Sequence, residues 1–183
     1  LIGFAVIEPS GEDALDEVER AAGLGLKGVM LDPEFHAVFR NLSKVEELMV
    51  PCMEHGLPVL FNTPNIEVGE GERMGRSPYY DGLNQLASKF PGVRLVVNTF
   101  WPRIRELMRA YPNIIVDTGG RNGISGAVRL AQEVGPTRIC FGSESPQNHP
   151  ALGIREIHAR KLASVYRKLI LGRNAERLFK DLL

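Results

Sequence analysis

The sequence predicts an α/β protein built on a parallel sheet, and three observations support this prediction. Six apolar, β-branched runs bounded by turn residues recur along the chain. None of them alternates polar with apolar residues, which is typical of strands covered on both faces. Amphipathic helical patterns lie between successive runs, as in strand–helix units joined by right-handed crossovers.

The six runs are predicted to form the strands, and helical patterns follow each of them. The predicted strands cover residues 2–7, 27–31, 58–62, 94–98, 114–117 and 138–142. Ser10 is predicted to cap the first helix, and the run Ser43-Lys44-Val45-Glu46 fits a capping box that begins the second. Pro51 predicts an irregularity in that second helix. Its inward-facing residues are expected to be Leu48, Met49, Cys52 and Met53.

Three further segments complete the prediction of the elements. The stretch 65–81, rich in glycine and charge, is predicted to be a mobile loop after the third strand. The apolar pattern over 154–169 predicts one long helix or two shorter ones. Asn174 is predicted to cap a terminal helix.

Composition limits the classes of protein to which the chain can belong. Its 183 residues predict a single domain over 1–183, and 44% hydrophobic residues exclude general disorder. Lys+Arg and Asp+Glu are both 22, so no basic excess favours nucleic acid or a membrane surface as a partner. No apolar run approaches the ~20 residues that span a bilayer. Cys52 and Cys140 lie in apolar stretches, which favours a reducing, cytoplasmic location.

Strand counting leaves two architectures open. Six units suit an open doubly wound sheet and fall two short of a (β/α)8 barrel. In both, the ligand site lies at the carboxyl ends of the strands. Asp, Asn and Ser are also favoured in turns, so polar residues at these ends predict either a concave site or ordinary turns. The polar residues at the six ends are Glu8, Asp32, Asn62, Asn98 with Thr99, Asp117, and Ser143 with Glu144.

Six segments resemble, in order, motifs of one family. The run R-I-C-F-G-S-E-S-P at 138–146 resembles a strand end of the form R-I-L-F-G-S-D-x-P. The other similar segments are 25–29, 56–61, 90–97, 112–118 and 169–179. The family is the amidohydrolase-related (amidohydrolase 2) group of metal-dependent barrel hydrolases and decarboxylases. The resemblance implies a (β/α)8 TIM-barrel-like fold with six βα units visible. Because the chain opens inside a strand-like run, we expect one or two strands to precede Leu1.

The resemblance also implies where a metal site would lie. The family binds its metal through an H-x-H pair on the first strand, a His after the G-L-P-V strand, often a second later His, and the Asp of G-S-D. Asn62, Thr99 and Glu144 stand at the last three of these positions. Neutral Asn and Thr are weak ligands for zinc-like ions, so the ordinary ligand set is altered in this sequence.

The candidate site residues follow from these positions. The catalytic candidates are Glu144 as metal ligand or base, Asn62 and Asp32. The substrate-binding candidates are Thr99, Asn98, Glu8 and Arg121. The candidate ligands for zinc or manganese are Glu144, His36 and His149, because both histidines follow strand ends.

Crowded carboxylates would raise the pKa of at least one group and provide a general acid or base. The carboxylates expected in one cleft are Glu8, Asp32, Asp117 and Glu144. For Asp117 a local hydrogen-bonding role is favoured, because its counterpart in the family looks structural.

Three functions from different classes are consistent with the sequence. The resemblance implies a metal-dependent hydrolase or nonoxidative decarboxylase that acts on a small carboxylated or lactone substrate. Loss of the histidine positions favours, alternatively, a degenerate barrel that binds small molecules or serves a structural role. The glycine-rich turn 119–126 offers backbone N–H groups to a phosphate ligand. An incomplete barrel would expose strand edges, so a homo-oligomer is expected.

Overall fold

A computed structural model describes residues 2–33, 38–62, 78–97, 103–119 and 123–180. The described strands form one six-stranded parallel sheet. Each lies within a predicted run, and the strand at 114–117 matches its prediction in full. The strands are β1 (Ala5–Val6), β2 (Val29–Leu31), β3 (Val59–Phe61), β4 (Leu95–Val97), β5 (Ile114–Asp117) and β6 (Ile139–Cys140).

Helices alternate with these strands, as the patterning predicts. A 3₁₀ turn (Val38–Arg40) precedes α2, and a π-helical turn (Leu169–Arg173) joins α7 to α8. The α-helices are α1 (Ala14–Gly23), α2 (Leu42–Glu54), α3 (Pro78–Lys89), α4 (Ile104–Ala110), α5 (Gly123–Val134), α6 (Pro150–Ala159), α7 (Ser164–Lys168) and α8 (Asn174–Phe179). In the part of the chain that the structure covers, no helix combines the length and apolar character needed to cross a bilayer.

The strand order decides between the two architectures. The strands lie in the order β1-β2-β3-β4-β5-β6, so each pairs with its neighbour in sequence. A doubly wound sheet reverses its strand order at a switch point, and no reversal occurs among the described strands. Consecutive parallel strands connected by helices are the arrangement of a (β/α)8 barrel, which excludes the doubly wound alternative.

The core lies on one face of the sheet. Val29, Val59 and Leu95 pair across neighbouring strands and are fully buried in the cluster that the helices cover. The residues that follow them, such as Met30 and Leu60, point to the opposite face and are half-buried. Side chains along each strand therefore alternate between the face that the helices cover and the second face, which is the interior side of a barrel.

Two predicted helix caps are wrong because other partners compete for them. Helix α1 begins at Ala14, four residues after Ser10, whose N–H donates to Glu8 Oε1 at 3.3 Å. Ser43 lies inside α2, and its hydroxyl donates to Asn41 Oδ1. The capping box also fails because Glu46 accepts hydrogen bonds from Gln85 and Lys89 of α3.

The second helix and the predicted loop differ from their predictions in detail. Helix α2 runs through Pro51 to Glu54, so the proline does not end the helix, and the irregularity stays a prediction. Its inward face is buried as predicted except for Met53, which is 45% exposed at the edge of the apolar stripe. Of the predicted loop 65–81, residues up to 77 lie outside the described residues, and Pro78–Asp81 form the first turn of α3.

The C-terminal segment forms two shorter helices, one of the two predicted alternatives. Asn174 does not cap: it is the first residue of α8, it is 4% exposed, and its Nδ2 donates to the carbonyls of Pro136 and Ile139, each at 2.7 Å. The prediction of a cap is therefore wrong, because the side chain satisfies buried carbonyls at the start of β6 instead. Asn113 similarly donates to three buried carbonyls between α3 and β4.

Asn174→Ser and Asn174→Ala should destabilise the protein equally, by about 2 kcal/mol or more, because both leave two buried carbonyls without a donor. Urea unfolding measures the effect. Serine is a good cap, so a serine variant close to wild-type stability would show instead that capping is the role of this residue.

Candidate active site

Two of the predicted site residues meet at the carboxyl ends of β2 and β3. Leu31 pairs with Phe61, so Asp32 and Asn62 follow at adjacent positions. Asn62 Nδ2 donates to Asp32 Oδ2 at 3.2 Å, and both side chains are largely withdrawn from solvent. The amide and the carboxylate are thus hydrogen-bonded to each other at the mouth of the sheet.

A second pair, Asp117 and Glu144, lies at the ends of β5 and β6. Gly119 N–H donates to Asp117 Oδ1 at 2.7 Å. A methyl group on Gly119 would lie 2.9 Å from Asp117 Oδ1 and 3.2 Å from Glu144 Cγ. One on Gly142 would lie 3.2 Å from the Asp117 carboxyl carbon. The two glycines therefore leave the space in which the two carboxyl groups approach each other.

The Thr118 hydroxyl fixes the relative position of these strand ends. It donates to the Gly142 carbonyl at 2.8 Å and accepts from the Gly142 N–H at 3.0 Å. The Thr118 N–H also donates to the Cys140 carbonyl at 2.9 Å. These bonds extend the ladder between β5 and β6 beyond the strands, so Asp117 and Glu144 emerge from a common rigid base.

Burial raises the pKa of Asp117 to about 7. The hydrogen bond from Gly119 N–H lowers this pKa, and the negative charge of Glu144 raises it. Burial likewise raises the pKa of the neighbouring Cys140 thiol to about 12, with Asp117 adding to the shift. At neutral pH the site therefore contains a carboxyl group that holds its proton in a large fraction of molecules, beside an inert thiol.

The backbone of Glu144 is strained. Its φ is 53°, in the left-handed region that favours glycine, and such a conformation costs a non-glycine residue about 1–2 kcal/mol. Its carbonyl accepts from the N–H groups of Gln147 and Asn148, which stabilise the turn. Strain of this kind is concentrated at functional sites, where the surrounding structure overcomes it to aim a side chain.

A cavity of about 350 Å³ lies between these strand ends and helices α5 and α6, and its wall contains neither Asp117 nor Glu144. Its wall includes Thr118, Gly119, Gly142, Ser143 and His149. His149 caps α6 by accepting the Ala151 N–H at Nδ1, which places the ring proton of the neutral side chain on Nε2. The cavity has the size of a small-molecule site.

The described side chains do not form a metal site by themselves. Within the described ranges, no three His, Cys, Asp or Glu side chains converge on a point that could hold an ion. Nδ1 of His149 is engaged in capping, and His36 lies outside the described residues. The ligand set Glu144, His36 and His149 therefore stays a prediction.

Several other candidates stay predictions for the same reason. Asn98, Thr99 and Arg121 lie outside the described residues, as do positions 120–122 of the glycine-rich turn. Glu8 is described: its exposed carboxylate accepts the Ser10 N–H. For Asp117 the expected local hydrogen bond is present, from the Gly119 N–H. Crowding of carboxylates predicted one raised pKa, but burial, which is the larger cause at Asp117, was visible only in three dimensions.

Asp117→Asn should remove a pH dependence of stability. In the folded protein the pKa of Asp117 is about 7, above the ordinary value of 3.8 that applies to the unfolded chain. The retained proton therefore stabilises the fold fully below pH ~4, and this stabilisation is lost as pH rises through 7. Relative to the variant, the wild type should lose on the order of 2 kcal/mol between pH 5 and pH 8, measured by urea unfolding. The exposed Glu176→Gln variant is the control, and a pH-independent difference for Asp117→Asn would contradict the burial argument.

The family and the fold were compared with known proteins. The family model described as amidohydrolase matches residues 1–180. No curated protein matches the chain. Among solved structures, a TIM-barrel protein from Bordetella bronchiseptica has a TM-score of 0.77 at 18% identity, over 99% of this chain and 67% of that one.

Two decarboxylases have the same fold. The 5-carboxyvanillate decarboxylase of Sphingomonas paucimobilis has a TM-score of 0.75 at 14% identity, over 98% of this chain and 66% of that one. The dihydroxybenzoic acid decarboxylase of a Polaromonas species, bound to manganese and the inhibitor 2-nitroresorcinol, has a TM-score of 0.70 at 17% identity, over 98% and 69%.

These comparisons confirm the predicted barrel architecture and family. The chain spans about two thirds of the length of these structures. At such identities the structural likeness shows the fold, while the match of the family model extends over nearly every residue. The chain therefore belongs to the amidohydrolase family.

Proposed function

We propose that this chain belongs to an enzyme that decarboxylates a small aromatic carboxylate without oxidation, with Asp117 and Glu144 transferring the proton. The observation that supports this best is a buried carboxyl group with a pKa of about 7, beside a second carboxyl at the mouth of the barrel. General acids work best when their pKa lies near the working pH.

The chemistry requires a proton at the carbon that loses CO₂. When the C–C bond breaks, its electron pair stays on the substrate carbon, and a proton takes the place of the carboxylate there. Asp117 Oδ1 accepts the Gly119 N–H, which leaves Oδ2 to hold the proton. Glu144, whose side chain lies against Gly119 beside Asp117, takes a proton from water and passes it to that acid for the next turnover.

The similar proteins support the substrate class. Two of them are named as decarboxylases of carboxyvanillate and dihydroxybenzoate, which are small aromatic acids. The 350 Å³ cavity between these strand ends and helices α5 and α6 has the size of a small-molecule site. Hydrolysis of a related ester or lactone is the second reaction that the family supports.

A divalent metal remains part of the proposal without a step assigned to it. Manganese is bound in the dihydroxybenzoic acid decarboxylase, which supports a similar ion for this protein. The described donors do not complete a ligand set, so the proton transfers are assigned to the two carboxyl groups.

Turnover of 2,6-dihydroxybenzoate, 5-carboxyvanillate and a set of lactones, with and without added manganese or zinc, tests the proposal. Asp117→Asn should lower kcat about 100-fold or more, since a positioned general acid contributes 10²–10⁴. Wild-type activity should fall as pH rises through 7, because Asp117 then loses its proton.

Glu144→Gln should also reduce turnover, whereas the exposed Glu176→Gln should leave it unchanged. An active Asp117→Asn enzyme with an unchanged pH profile would refute the assignment of the acid. Ligands that raise the melting temperature without turnover would favour the degenerate, binding-only barrel.

We also propose that the chain self-associates. β1 is an end strand of the described sheet, so one of its backbone edges is unpaired there, and unpaired edges favour association. Val6, on the same face of the sheet as Met30, is 60% exposed. Sedimentation velocity should show a dimer or larger species, and Val6→Lys should shift it toward the monomer. Leu24→Lys, at a loop residue that is 66% exposed, is the matched control. A monodisperse wild-type monomer would contradict this proposal.

A further inference from the structure

We propose that a second cavity of this chain binds a small phosphorylated molecule. This basic pocket has a volume of about 370 Å³ and lies against α7, the π-helical turn and α8. The residues on which the proposal rests are Lys168, Arg173, Arg177, Thr137, Ser164 and Val165.

Charge is the first argument. Every charged side chain in the wall of the basic pocket is a cation, and Lys168, Arg173 and Arg177 form no ion pair with the residues that the structure describes. By contrast, Arg20 and Arg105 each pair with a glutamate. Three cations around one cavity repel one another, and an anion removes that repulsion.

The donor groups indicate phosphate rather than a single carboxylate. Two guanidinium groups present planar pairs of N–H donors that match phosphate oxygens, and Lys168 adds a point charge. The hydroxyls of Thr137 and Ser164 are additional donors at the same wall. Val165, which is 55% exposed, offers an apolar surface to the organic part of a ligand.

The basic pocket is separate from the carboxyl pair. Thr137 precedes β6, whereas Glu144 follows it, so the two sites lie at opposite ends of that strand. The Ile170 carbonyl of the π-helical turn accepts the Phe141 N–H at 2.8 Å, which anchors the wall of the pocket to the strand. Single π-helical turns are rare and are frequently found at functional sites. The inference therefore does not depend on the proposed decarboxylation.

Isothermal titration calorimetry with pyrophosphate tests the site, with AMP and uncharged adenosine as further probes. Pyrophosphate and AMP should bind saturably at one site per chain, and adenosine should not bind. Arg173→Gln/Arg177→Gln should weaken pyrophosphate binding at least about tenfold, because two charge-assisted contacts are lost. Arg109→Gln/Arg129→Gln, which removes the same charge from exposed sites on other helices, should leave the affinity unchanged.

Lys168→Gln is a milder second variant and should weaken binding in the same direction if the double variant does not fold. The proposal is overturned if the wild type shows no saturable binding. It is also overturned if the folded pocket variants bind as tightly as the wild type, which would place the anion elsewhere, for example at the turn 119–126. An equal loss of affinity in the Arg109→Gln/Arg129→Gln control would show that binding depends only on net charge, which would also overturn the proposal.

Discussion

Packing of the helices against one face of the parallel sheet determines the direction of every other side chain along the strands. Val29, Val59 and Leu95 are fully buried beneath the helices, so the residues on either side of them must turn to the opposite face. The same alternation continues past the last apolar residue of each strand. Asp32 and Asn62 consequently meet at one edge of the sheet, although 30 residues separate them in sequence.

The carboxyl pair shows how this scaffold maintains an unfavourable arrangement. Asp117 is desolvated beside another carboxyl, and Glu144 adopts a left-handed backbone conformation. Neither feature stabilises the fold. Both persist because the hydroxyl of Thr118 and the backbone of Gly142 bind the two strand ends together in both directions. Stability in the strands thus supports an unfavourable arrangement at their ends, as is common at functional sites.

An amide bound to a carboxylate lies at the mouth of the sheet. Asn62, which the sequence resemblance aligns with a histidine position of the family, donates a hydrogen bond to Asp32. An amide bound in this way is suited to orienting a polar substrate group rather than to holding a soft cation. The basic pocket at the opposite end of β6 is lined by cations, whereas carboxyl groups lie at the mouth. The two ends of this barrel therefore differ in the ligands that they favour.

Sequence by itself determined the order of strands and helices, the family and the polar character of the strand ends. These properties depend on local patterns: β-branched runs, turn residues and short motifs whose spacing the backbone enforces. The tertiary structure decided the roles of individual polar side chains. Ser43, Glu46 and Asn174 have good capping chemistry, yet the partners of Glu46 and Asn174 lie on distant elements. At Asn174 the reason is that an unsatisfied buried carbonyl costs more than a lost cap. The pKa of Asp117 could likewise not be predicted from the sequence, because it depends on how closely the strand ends at Gly119 and Gly142 approach its carboxyl group.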